Sequence, residues 1–279
     1  MLATRILTAL VLVPLVLAAL FLLPPWGWGA VTLAVIVLAA AEWADLAGYR
    51  RHSWWMFVAG TLLIGVNLLL SPLCGFGIGW PNGIVLAVCG LATFFWLLVA
   101  VPWLAIRWRP TSPLLLAVAG WIVLIGAWVA IVQMQAHSPW LVLAAMAIVW
   151  IADTAAYFAG RAFGRRKLAP EVSPGKTWEG VYGGLAAVAI YALALVPLAV
   201  EAGFRGTVSP IAVIVWIGLA LALAALSVVG DLCESLLKRQ AGVKDSGRVL
   251  PGHGGILDRI DALLAAMPAA ALLALAYLR

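Results

Sequence analysis

The sequence predicts an all-α polytopic integral membrane protein of about nine transmembrane helices. Three observations predict it. The chain of 279 residues is 66% hydrophobic and 10% charged, with mean hydropathy +1.12, a composition that soluble domains do not reach. Its apolar residues fall into nine runs of 17 to 22 residues, long enough to cross a bilayer as helices that satisfy their own backbone groups. When these runs alternate from a cytoplasmic N-terminus, 15 of the 17 Lys and Arg residues fall on the cytoplasmic side.

The runs follow in order at about 6–23, 30–48, 55–71, 84–105, 114–134, 140–160, 181–200, 211–230 and 262–278. The first follows Arg5. It is longer than a signal-peptide core and no clear cleavage site succeeds it, so it is read as a retained span. Pro24-Pro25, Ser71-Pro72, Pro110 and Ser138-Pro139 punctuate the connections. The second run carries Glu42 and Asp45 near its cytoplasmic end, where Arg50 and Arg51 are the expected partners. The sixth carries Asp153, with Tyr157 one turn on. Ionisable groups in spans are costly and normally face protein or a water-filled cavity. Tryptophans 26, 28, 54, 55, 80, 103, 108, 140 and 178 lie near predicted span ends, as interfacial belts require.

The basic residues expected in the cytoplasm are Arg5; Arg50 and Arg51; Arg107 and Arg109; Arg161, Arg165, Arg166, Lys167 and Lys176; and Lys238, Arg239, Lys244, Arg248 and Arg259. Only Arg205 and Arg279 remain outside. The net charge of +6 therefore reads as topology and contact with anionic headgroups, and no nucleic acid is expected as a partner. Cys74, Cys89 and Cys233 have no metal-ligand spacing.

Residues 1–135 read as N-terminal transmembrane helices, about five spans with short connections and little chemistry, serving as scaffold, dimer or lipid contact. Residues 136–279 read as the catalytic membrane domain, about four spans with cytoplasmic loops 161–180 and 231–261.

The stretch from Asp231 to Asp261 holds 10 of the chain's 28 charged residues between two apolar runs. If the eighth helix continues, Asp231, Glu234, Ser235 and Lys238 share one face at i, i+3, i+4 and i+7. Asp258 and Asp261 stand at the cytoplasmic entry to the ninth span. Carboxylates on two helices at similar depth, beside Lys and Arg, suit Mg²⁺ and phosphates, because Mg²⁺ takes one or two carboxylates plus substrate oxygens. Between them, Pro251-Gly252-His253-Gly254-Gly255 feeds a helix N-terminus whose free N–H groups would bind phosphate. Lys238, Arg239, Lys244, Arg248 and Arg259 supply positive charge.

In the other loop, Ser173-Pro174 reads as an N-cap followed by proline at the first helical position, with Lys176 in the first turn and the positive end of the helix dipole toward a phosphate. Gly175-Lys176-Thr177 is not a P-loop, since Pro170 stands where that motif needs its first glycine and no strand precedes it. Asp153 could line the same cavity.

Ser235-x-x-Lys238-Arg239-x4-Lys244-Asp245, followed by Leu250-Pro251-x-His253-Gly254-Gly255-x-x-Asp258-Arg259-Ile260-Asp261, resembles the signature of the phosphatidate cytidylyltransferase family, also called CDP-diacylglycerol synthases. A second block is similar to that family: Asp153-x-x-Ala156-Tyr157, then Ser173 to Gly180. The resemblance implies that CTP and phosphatidate give CDP-diacylglycerol and pyrophosphate. It implies dependence on Mg²⁺, a second cation such as K⁺, a homodimer, and a bacterial inner-membrane enzyme whose site faces the cytoplasm. It makes Asp231 and Asp258 the metal ligands and places Ser235 and Lys238 around them; the carboxylates of Asp261 and Asp153 are further candidate ligands. Ser173, Lys176, Arg239, Lys244, His253, Gly254, Gly255 and Arg259 are the expected phosphate-binding set, and Lys176 is also a candidate catalytic residue. The chemistry agrees: in-line attack of an ionised phosphate on the α-phosphorus of CTP needs positioning and charge stabilisation, with no covalent nucleophile. The rivals are another CTP-dependent membrane enzyme, such as a polyprenol kinase, and a transporter. Polar residues at one membrane face, without visible repeats, argue against a transporter.

Overall fold

The computed structural model describes residues 2–71, 79–201, 209–249, 252 and 254–277; of residues 2–9 and 198–201 the backbone alone is described. Cys74, Arg205, Pro251, His253 and Arg279, and the expected outer connection at 203–208, lie outside this set.

The helices are α1 (Leu2–Leu22), α2 (Pro25–Leu46), α3 (Arg51–Leu70), α4 (Asn82–Phe94), α5 (Val101–Ile106), α6 (Pro113–His137), α7 (Pro139–Phe163), α8 (Trp178–Glu201), α9 (Pro210–Ala241) and α10 (Leu257–Tyr277). A π-helical turn at Phe95–Ala100 joins α4 and α5 into one rod, Asn82–Ile106. Among the described residues, eight helices are long and apolar enough to cross a membrane. They match the second to ninth predicted runs. The first run falls on α1, whose apolar part Leu10–Leu22 is shorter.

Serine followed by proline starts three of these helices. Ser112, Ser138 and Ser209 accept hydrogen bonds from the N–H groups of Leu115, Trp140 and Ala212, and the proline after each lacks the N–H that would otherwise be unpaired. Gly242 ends α9 in the left-handed conformation (φ 73°), with the Val243 N–H donating to the Lys238 carbonyl at 2.9 Å.

The helix ends segregate as the alternation predicts. On one side, the Tyr49 hydroxyl donates to the Pro113 carbonyl, Arg109 to the Gln240 carbonyl, and Arg107 pairs with Glu171. At the other end, Gln133 accepts from the Trp80 N–H and Gln135 donates to the Leu20 and Leu23 carbonyls. The core runs through α6 and α10, and Trp128 on α6 is fully buried. Its indole donates to the Gly29 carbonyl at 3.0 Å. Trp26, Trp55, Trp108, Trp140 and Trp178 are exposed, as a belt requires. Trp28, Trp80 and Trp103 instead point inward. For two of these the indole N–H finds a backbone carbonyl: Trp80 donates to Leu68 and Trp103 to Trp108.

The helical expectation fails between α7 and α8. Lys167–Ala169 (β1) and Ser173–Thr177 (β2) form an antiparallel two-stranded ribbon, pairing Lys167 with Thr177 and Ala169 with Ser173. Ser173-Pro174 is therefore not an N-cap, and Lys176 lies on a strand. The cap is Thr177, whose hydroxyl accepts the Gly180 N–H at 3.2 Å. Pro174 is tolerated because a ribbon edge does not need its missing N–H. Glu179, in the first turn of α8, holds the ribbon's entry by accepting from the Arg165 and Arg166 N–H groups.

Candidate active site

The two polar stretches meet at one cavity of about 670 Å³, bounded by α7, β2, α8, α9 and α10. Asp153, Ser173, Lys176, Asp231, Asp258, Arg259 and Asp261 all line it. Small residues set its floor. A Cβ on Gly180 or Gly184 would lie 2.8 Å from the Ala156 or Ala152 carbonyl oxygen, so α7 and α8 touch backbone to backbone. A Cβ on Gly230 would lie 2.5 Å from the Asp261 carbonyl oxygen, which brings α9 against α10 where Asp231 and Asp261 stand.

The α9 helix continues past the apolar run, as the carboxylate spacing requires. Asp231 Oδ2 lies 2.6 Å from Lys176 Nζ, so the ribbon delivers Lys176 to α9. The Ser235 hydroxyl donates to Asp231 Oδ1 at 3.3 Å. Lys238 Nζ lies 2.6 Å from Asp258 Oδ1 and 2.5 Å from Glu234 Oε2, tying α9 to α10. Asp258 Oδ2 accepts from the Ser246 N–H at 2.9 Å and the Gly255 N–H at 2.8 Å. Asp261 Oδ1 accepts from the Ala262 N–H.

Some predicted phosphate ligands are placed elsewhere. Arg239 Nε donates to the Val172 carbonyl at 3.2 Å and fastens the ribbon's turn to α9. Lys244 is exposed on the 242–249 connection and does not line the cavity. The N-terminus of α10 is not free to bind a phosphate, because protein oxygens already hold its amides. Ile256 N–H and Leu257 N–H donate to Glu42, and Asp258 N–H donates to the Ser246 hydroxyl. Gly254 and Gly255 make room for these acids: a Cβ on Gly254 would lie 2.7 Å from Asp258 Oδ2, and one on Gly255 would lie 2.4 Å from Glu42 Oε2. Glu42 thus faces the 246–257 segment rather than Arg50 or Arg51, and Asp45 accepts from the Trp54 indole at 2.9 Å. Glu42 and Ser246 were not predicted site residues; the legible signal was a carboxylate within an apolar span.

Among the described residues, no group of three or more His, Cys, Asp or Glu forms a metal cage. The donors nonetheless fit Mg²⁺. Asp153, Asp231, Asp258 and Asp261 offer hard oxygens to one cavity, and Mg²⁺ takes few protein carboxylates and completes its shell with phosphate and water. The ammonium groups of Lys176 and Lys238 lie against Asp231 and Asp258, so both carboxylates already sit where cations are held. Asp258 has three donors on about four lone-pair positions and can add one contact.

A family model described as the cytidylyltransferase family matches residues 3–277. A phosphatidate cytidylyltransferase of Pseudomonas aeruginosa is 42% identical over 96% of this chain and 95% of its own length. The chain belongs to the phosphatidate cytidylyltransferase family. A Haemophilus influenzae member is 38% identical over 96% of both chains. A Staphylococcus aureus member is 46% identical over 129 residues, 46% of this chain.

Proposed function

We propose that this family member transfers CMP from CTP to phosphatidate, giving CDP-diacylglycerol and pyrophosphate. The observation that carries this reading is the single cavity that joins Lys176 of one polar stretch to Asp231, Asp258, Arg259 and Asp261 of the other. A phosphatidate oxygen forms a bond to the α-phosphorus of CTP as the bond to the β-phosphate breaks. Phosphatidate is ionised at neutral pH, so no strong general base is required. Lys176 and Arg259, both lining the cavity, hold phosphate charge, while Ser235 and Lys238 orient Asp231 and Asp258. Asp231 and Asp258, with Asp261 and Asp153 as further candidates, would hold Mg²⁺, which when bound neutralises phosphate charge and polarises the reacting group. A second cation such as K⁺ belongs to the same proposal.

We propose further that the N-terminus and the cavity face the cytoplasm across a bacterial inner membrane; the charge bias supports this orientation, and CTP is present on that side. Phosphatidate then enters from the inner leaflet. We propose a homodimer as the working unit, which cross-linking in membranes tests. The function itself is tested by supplying purified protein with CTP, phosphatidate and Mg²⁺. CDP-diacylglycerol and pyrophosphate in equal amounts support it, and neither product from folded protein overturns it.

A further inference from the structure

We propose that Glu42, on α2 in the half of the chain expected to be scaffold, is a positioning residue for Asp258. The inference rests on the reading of Asp258 as part of the cytidylyl-transfer site. The Glu42 side chain is buried, and among the described residues no Lys or Arg forms an ion pair with it. Its oxygens are held by neutral donors from one segment: Oε2 accepts from the Ser246 hydroxyl and the Leu257 N–H, both at 2.8 Å, and Oε1 from the Ile256 N–H at 2.9 Å. The positive end of the α10 dipole adds to this. Gly247 and Gly255 leave the space, since a Cβ at either would lie 2.3 or 2.4 Å from a Glu42 oxygen.

Asp258 grips the same segment. It accepts from the Ser246 N–H and the Gly255 N–H, and its own N–H donates to the Ser246 hydroxyl at 3.3 Å. Ser246 therefore touches both acids, and the peptide from Gly255 to Leu257 bridges them. A helix cap alone would need only the two amide contacts. The added hydroxyl contact, relayed to Asp258, couples an α2 carboxylate to the position of Asp258. Small displacements of a reacting arrangement are costly in rate: a misplacement of about 1 Å can lower it on the order of a hundredfold.

The test uses the full chain in lipid nanodiscs. Glu42→Gln keeps the shape but turns an NH₂ toward backbone N–H donors. We expect kcat to fall about 10- to 100-fold, as for residues that orient ligands from behind, with KM for CTP and phosphatidate changed less than about threefold. Amide hydrogen exchange in peptides covering 246–258 should speed up, while α6 stays protected. Glu42→Asp, which keeps the carboxylate, should recover part of kcat. Faster exchange with kcat within about threefold of wild type would reduce Glu42 to a cap and overturn the inference. If neither Glu42 variant folds, Ser246→Ala decides, since it leaves the two amide contacts of Glu42 in place. A fall of about tenfold or more in kcat supports the relay, and a fall under about threefold overturns it. Asp258→Asn separates the two readings. If it retains turnover, the site assignment fails. If it is inactive while Glu42→Gln is normal, only the role of Glu42 fails.

Discussion

Replacing Lys238 with methionine removes the ammonium that faces both Glu234 and Asp258. The three side chains are 12%, 4% and 6% exposed, and the two contacts are 2.5 and 2.6 Å. Removing one partner of a buried ion pair costs about 3–5 kcal/mol, because the other charge stays buried. Here one ammonium serves two carboxylates, so Lys238→Met belongs at the upper end, roughly 4–5 kcal/mol. At about 2–4 °C per kcal/mol, the melting temperature should fall on the order of 10 °C. Adding Glu234→Gln removes one of the stranded charges and should restore about 0.5–3 kcal/mol, the range of coupling between touching residues. Turnover should stay low in both variants, since Asp258 loses its lysine in each. The assay is a tryptophan-fluorescence melt of detergent-solubilised protein at one fixed scan rate, with activity measured on the same samples. A Lys238→Met midpoint within about 2 °C of wild type, or a double variant less stable than the single one, would refute the shared-ammonium account.

Asp231→Asn and Asp258→Asn should each lower turnover well beyond tenfold, since tenfold is only about 1.4 kcal/mol, and the double variant should lose little more; steady-state rates on correctly inserted protein check this. Lys176→Arg should keep partial activity and Lys176→Met nearly none, because the ribbon delivers this cation to Asp231; near-normal turnover of the Met variant would remove Lys176 from the site. Single cysteines placed at 161–167 or 243–249 should be labelled from the cytoplasm and those at 137–139 from outside, and the reverse pattern would contradict the orientation.

The spans were legible because a bilayer fixes both helix length and apolar content. The continuation of α9 was legible because Asp231, Glu234, Ser235 and Lys238 repeat at helical spacing, and Lys238 does reach α10. The ribbon at 167–177 was not, since short strands with no apolar alternation carry little signal and their pairing is non-local. Ser-Pro does open helices at 112, 138 and 209, but the helix start read from it at 173 was misleading, because pairing to β1 claims the backbone there. Glu42 was assigned to Arg50 or Arg51 because those are near in sequence, whereas its partners lie more than 200 residues away. Gly254 and Gly255 were counted among the phosphate-binding residues, since glycine lets a backbone approach a ligand closely. Space for a neighbouring carboxylate leaves the same mark in a sequence, and only the fold distinguishes them.

The most direct test of the central claim follows two labels of CTP into lipid. Purified protein in nanodiscs receives phosphatidate, Mg²⁺ and CTP labelled either in the cytidine ring or at the γ-phosphate. Cytidylyl transfer at the shared cavity predicts ring label in the lipid fraction and γ-label released as pyrophosphate, with both signals lost in Asp231→Asn. Label from the γ-phosphate entering the lipid would instead make this a kinase and contradict the account.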